Sequence, residues 1–138
     1  MIEELENYVE QGEFDLHDID DLDVVVDDLP NEPGVISVYS IVGGKENFVF
    51  IASSGEVDKQ GGFGKNTLKN LFNKKNATCD MQAIFEEQFA KNNADSYRVY
   101  WFVTADKEFF DIPNFVKGRV LQEYFDMHSE LPAWNDKF

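Results

Sequence analysis

Cysteine occurs once in this chain of 138 residues, at Cys79, and histidine only twice, at His17 and His128. One thiol makes no internal disulfide and no thiolate metal cluster, and no histidine lies near it in sequence to activate it as a nucleophile. Cys79 therefore reads as a small buried or half-buried residue. No stretch approaches the roughly 18 apolar residues of a membrane span, and Met-Ile-Glu-Glu-Leu-Glu does not open as a secretory signal does. These absences lead us to expect a cytoplasmic protein that makes no membrane contact. Positive charge is missing altogether from residues 1–33, which carry thirteen Asp and Glu and neither Lys nor Arg. The other fourteen acids and all twelve bases lie in residues 34–138, so the net charge of −15 belongs almost wholly to the front end. A polyanion repels phosphate, which excludes this segment as a nucleic-acid-binding arm and makes nucleic acid a weak partner for the chain. A protein with a basic surface is the partner that the acidic front end suits, either by simple docking or by mimicry of a DNA backbone.

What is present is a globular composition. Hydrophobic residues make up 43% and aromatics 14%, with 13 Phe, enough for one domain with a core that needs no disulfide or structural metal. Ile2, Leu5, Tyr8 and Val9 recur at helical spacing and predict an amphipathic helix over 2–11, ended near Gly12. Residues 18–23 are too acidic to pack and read as a loop, and Val24-Val25-Val26 predicts a short strand before Leu29-Pro30. Pro33-Gly34 opens a strand over 35–42, Gly43-Gly44 signals a turn, and 48–53 returns as the second strand of a hairpin. The polar, Gly-rich stretch 55–65 is a surface loop, and its GGFG has the wrong spacing for a dinucleotide fingerprint. Helices are expected over 66–74, capped by Asn66 or Thr67, and over 80–92. SYRVYWFVT at 96–104 is the strongest strand by composition. A last helix over 114–129 follows, capped by Asp111 with Pro113 in its first turn. This order implies an α+β fold, a small antiparallel sheet flanked by helices. An acidic extension, residues 1–32, docks through its apolar anchors on a body formed by 33–138.

Two segments carry a resemblance. PGVISVYSIVGGKENFVFIASS at 33–54 and VKGRVLQEYFDMHSELPAWN at 116–135 together resemble the GIY-YIG nuclease family. That family begins its sheet with Gly-Ile-Tyr and Tyr-Ile-Gly strands and ends in a helix bearing a metal-binding Glu, followed by Pro-x-aromatic-Asn. The resemblance implies a divalent metal such as Mg²⁺, held through Glu123, and cleavage of phosphodiesters. It places Ile36 at the first motif's tyrosine, Phe50 at the second's, Lys69 and Asn70 near the helical arginine, and Asn135 at the closing Asn. Both tyrosine hydroxyls and the guanidinium are thus replaced, and a Lys gives charge without the bidentate fork. The implied protein is a degenerate member, a non-catalytic binding or scaffold domain. An endonuclease with substituted machinery and an acidic interaction module are the alternatives.

Several of these residues also have plain structural readings. Helical spacing puts Val116, Val120, Leu121, Tyr124 and Phe125 on the buried stripe, with Glu123 at its edge as an ion-pair partner for Arg119. Pro132, Trp134 and Asn135 read as a helix stop that pins the C-terminal segment to the sheet. Lys65, Lys69, Lys74 and Lys75 form the one basic run, a solvated face or a phosphate-facing patch that the acidic front end covers.

Overall fold

Four antiparallel strands make the sheet: β1 (Gln11–Leu16), β2 (Gly34–Val42), β3 (Lys45–Ser53) and β4 (Ser96–Val103), in the order β1-β4-β2-β3. The structure, a computed structural model, describes residues 3–73, 80–105 and 110–137. The three expected strands share one sheet, and the α+β class stands. The β2–β3 turn works because Gly43 and Gly44 take φ of +58° and +80°, the pair of left-handed values that a two-residue type I′ hairpin demands. The Asp95 carboxylate fastens this turn by accepting from Gly43 N at 2.9 Å.

Alternation along the strands gives the sheet two apolar faces. On one, Leu16, Ile36, Val38, Phe50, Ala52, Tyr97 and Val99 pack with Leu22 of α1 (Asp21–Val25), Leu71 and Phe72 of a 3-10 turn (Asn70–Phe72), and Met81 and Phe85 of α2 (Met81–Lys91). On the other, Val35, Ile51 and Phe102 meet Leu5 of a 3-10 turn (Glu3–Asn7) and Val116, Val120 and Leu121 of α3 (Pro113–His128). Each longer helix has local reasons for its ends. The Asp80 carboxylate accepts from Ala83 N at 3.0 Å to cap α2, and Asn92 ends it at φ +53°. Pro113 occupies the first turn of α3, and Ser129 closes it in the left-handed region.

Other expectations give way. Of the helix expected over 2–11, Ile2 lies outside the described residues and 3–11 hold only the 3-10 turn, after which the chain extends as β1, whose Phe14 and Leu16 face the core while Glu13 and Asp15 face Arg98. Leu5, Tyr8 and Leu16 are the buried anchors, whereas Val9 is 81% exposed. Val24–Val26 form no strand, because Leu22 is buried from a helical turn that Val25 and Val26 prolong against the same core. The valines instead continue from α1 into a 3-10 turn (Val26–Asp28), led in by the Asp21 carboxylate, which accepts from His17 N at 2.8 Å. Of the helix expected over 66–74, the described residues 66–73 hold only the 3-10 turn, with Thr67 Oγ1 accepting from Asn70 N. Lys74, Lys75 and Cys79 lie outside the described residues. Asp111 caps nothing: it accepts from the Tyr8 hydroxyl at 2.7 Å, and Ile112 stands at the cap position. Phe125 leaves the predicted stripe and is 48% exposed. Arg119 pairs with Glu4 rather than Glu123. No helix among the described residues is long and apolar enough to cross a membrane.

Candidate functional site

β3 is an edge strand, and its outer side is where two of the sequence-derived site residues meet. Phe50 points to the α2 face, and the segment after α3 runs back along the strand. Trp134 N donates to Val49 O at 2.9 Å, while the Asn135 amide accepts from Ile51 N at 3.1 Å and donates to Ile51 O at 3.0 Å. Asn135 thus supplies the pairing that a further strand would have given, covering an edge that otherwise invites association. Asn135→Ala removes both bonds, and a loss of about 1–2 kcal/mol in urea denaturation is expected. Beside this latch lies a depression of about 550 Å³, lined by Phe50, Ala52, Ser53, Asn66, Asn114, Lys117, Trp134 and Asn135, with Glu56, Asp136 and Lys137 at its margin. Its side chains are amides, a hydroxyl, aromatic rings and charges of both signs. Ser53 Oγ bonds to Asn114 Oδ1 across the floor. Such a set binds and orients; among the residues lining it there is no histidine or cysteine to accept a proton or attack a substrate.

The other implied residues go elsewhere. Ile36 is fully buried in the core beneath the helices. Phe50 is 7% exposed, its ring 6.2 Å from that of Trp134. Lys69 is exposed and donates from Nζ to Asp27 O at 3.4 Å, and Asn70 donates from Nδ2 to Lys65 O at 2.9 Å. Glu123 projects from α3 on the opposite side of the sheet from Phe50, into a separate depression of about 520 Å³. Only Phe50 and Asn135 converge.

The depression around Glu123 also holds Glu4, Tyr8, Asp111 and Arg119. Two of its three carboxylates are engaged: Glu4 with Arg119, and Asp111 with Tyr8, whose phenol is pushed far up, first by burial and then by that hydrogen bond. Among the described residues, no three His, Cys, Asp or Glu side chains come together as a metal-holding group. The donor set at Glu123, one free carboxylate beside a guanidinium, does not fit a divalent cation, which needs several oxygens and no cation next to them.

Sequence reading overlooked one ionic group. Arg98 on β4 donates to Asp15 on β1 and to Glu46 on β3, both at 2.7 Å, and Tyr100 donates to the same Glu46 oxygen at 2.7 Å. Hydrogen bonding from Arg98 holds the Asp15 carboxyl below the usual range. The alternation in SYRVYWFV places Arg98, Tyr100 and Phe102 on one face, so the signal was present; its partners depend on strand order. Comparison of the chain with protein-family models, with curated proteins and with solved structures gives no match.

Proposed function

We propose that this chain is a non-catalytic binding domain built on a GIY-YIG-like sheet. The observation that carries this reading is what occupies the place of the family's two strand tyrosines. Ile36 has no solvent access, and Phe50 lies under Trp134 with no hydroxyl to offer. Asn135 spends its amide on the β3 backbone, and Glu123 lies across the sheet from both. Phosphodiester hydrolysis needs a base, a charge stabiliser and a water meeting at one phosphorus, and loss of one such group often costs about two to four decades of rate. Incubation of the full chain with plasmid or single-stranded DNA and Mg²⁺ or Mn²⁺ is expected to give no cleavage above that of Glu123→Ala. Metal-dependent cleavage abolished by that substitution would overturn the proposal in favour of an endonuclease.

A second reading, docking on a basic protein surface, has its own supporting observation. Residues 27–32 lie against 67–69 through backbone groups: Leu68 N donates to Glu32 O, and Lys69 N to Pro30 O. Asp20, Asp23, Asp27 and Asp28 are exposed, and among the described residues none of them forms an ion pair with a lysine. Since β1 belongs to the sheet, the test neutralises these four acids to Asn instead of deleting the segment. Binding to polylysine should be steeply salt-dependent and fall on neutralisation; binding unchanged by it would remove this reading.

A further inference from the structure

Trp134 and Asn135 cover the outer side of β3, but the opposite edge of the sheet, β1, is open. Val103 N donates to Glu10 O at 2.9 Å, and bonding positions alternate along an antiparallel ladder. In the register Gly12↔Trp101, Phe14↔Val99 and Leu16↔Tyr97, the residues Gly12, Phe14 and Leu16 therefore turn their N–H and C=O groups to β4. Gln11, Glu13 and Asp15 turn theirs outward. No other described residue bonds to these outward groups, and all three residues are exposed. Past them the Asp21 carboxylate takes the outward N–H of His17 and closes the end of the row.

The two faces of this edge differ in chemistry. On the α3 side, Glu13 and Asp15 stand opposite Tyr100 and Arg98. Arg98 is shared among Glu13, Asp15 and Glu46, so one positive charge meets three negative ones and the edge stays negative. On the α2 side, Gly12 has no side chain and the far rim of the Trp101 indole takes its place: a Cβ at 12 would lie 2.5 Å from Trp101 Cζ2. The half-buried ring thus reaches from β4 across β1 toward the open side, and Phe14, also half-buried, follows it on the same face.

An unpaired strand edge is a template for another strand, and the residues along it decide which. A second copy of this chain is a poor candidate. Pairing β1 with β1 sets acid against acid, and two chains of net charge −15 repel. We infer that β1 accepts an extended segment of another protein in which basic and apolar residues alternate. Its basic residues face Glu13 and Asp15, its apolar ones lie by Trp101 and Phe14, and its backbone pairs with Gln11, Glu13 and Asp15. The inference rests on the reading of the chain as a binding domain and names the partner and the mode. Strand addition and DNA cleavage have separate readouts, and docking through Asp20, Asp23, Asp27 and Asp28 does not depend on backbone pairing, so each can fail alone.

The test is an NMR titration of the full chain at constant ionic strength with a blocked Thr-Lys-Val-Lys-Val-Lys-Thr peptide. Two controls are the same peptide methylated at the backbone nitrogens of its lysines, and its counterpart with Glu for Lys. In the free chain the amides of residues 11, 13 and 15 should exchange rapidly with solvent and those of 12 and 14 slowly. The basic peptide should slow exchange at 11, 13 and 15, and should shift the indole N–H of Trp101 but not that of Trp134. The methylated peptide keeps its charge but cannot donate to β1, and should bind at least about tenfold more weakly. The acidic peptide should not bind. Glu13→Gln should weaken binding about threefold. Glu13→Pro spares the β1–β4 ladder, because that N–H points outward, yet should weaken binding about tenfold or more; should it unfold the chain, the methylated peptide decides. Slow exchange at 11, 13 and 15 in the free chain would show that the edge is already covered, and dimerisation on concentration would give it to a second copy. Either result would overturn the inference, as would equal binding of the methylated peptide, or equal losses from Gln and Pro in a folded chain.

Discussion

Gly34→Ala should abolish cooperative folding or lower the melting temperature by about 10 °C or more, corresponding to a loss of about 3 kcal/mol or above. Gly34 opens β2 opposite Val103, between β3 and β4. A Cβ placed there falls deep inside contact distance of the Phe102 carbonyl oxygen and 3.0 Å from Leu68 Cδ1. The first obstacle is backbone in the middle of the sheet, so no rotamer change relieves it and the central strands must part. The same residue accepts from Ser54 N through its carbonyl and donates from its own N–H to Ser54 Oγ, so parting the strands also breaks the join to β3. Gly43→Asn is the control. Its site is open space with φ +58°, a conformation Asn tolerates, and its melt should stay within about 2 °C of the parent. A Gly34→Ala protein that melts equally close to the parent would show that the sheet absorbs the extra carbon.

That glycine bears on how much of the fold the sequence displayed. Pro33-Gly34 and Gly43-Gly44 mark strand starts and turns through backbone demands that only a few residues meet, and the hairpin follows from them. The 96–104 strand and the last helix follow from composition and a proline in the first turn. β1 was hidden because Gln11–Leu16 holds no β-branched residue. Its only signals were the alternation of Glu13, Phe14, Asp15 and Leu16 and a glycine at 12, which lies beneath the Trp101 ring. A strand of that kind forms because β4 offers it an edge and Arg98 offers its acids a partner, and both are tertiary facts. The three valines misled in the opposite direction: a helical turn that buries Leu22 and sets Val25 and Val26 against the core overrides their β-propensity.

The candidate site was legible at the level of residues and not of their meeting. Pro132, Trp134 and Asn135 read correctly as a stop and a pin, because proline and an amide at a chain reversal have few other uses. Glu123 lay on the helical wheel beside Arg119, but its side of the sheet depends on which face of α3 packs, and Glu4, far away in sequence, takes the arginine. The burial of Ser37 was invisible from sequence, since a serine inside VISVYS looks like an ordinary strand residue until its hydroxyl proves buried and, among the described residues, unpaired.

Trp134→Ala should be the costliest substitution in the C-terminal segment, about 3 kcal/mol in urea denaturation. Its ring stands 5.2 Å from that of Tyr97, 5.9 Å from Phe85 and 6.2 Å from Phe50, a cluster joining β4, α2 and β3. Partial exposure of the indole keeps the figure at the lower end of the range for an aromatic-to-alanine change. Trp134 and Asn135 hold the same few residues against β3, so their losses should overlap. The double variant should cost less than the two single losses added together, by about 0.5 kcal/mol or more. Removing the ring also uncovers Phe50, the position at which the resemblance puts a catalytic tyrosine. If closure by Trp134 were all that silenced a nuclease, Trp134→Ala would gain metal-dependent cleavage of DNA. The expected outcome is destabilisation with no cleavage, because the hydroxyls stay absent and Glu123 stays across the sheet. A loss below about 1 kcal/mol would mean that the indole merely rests on the surface and does not close the space over Phe50.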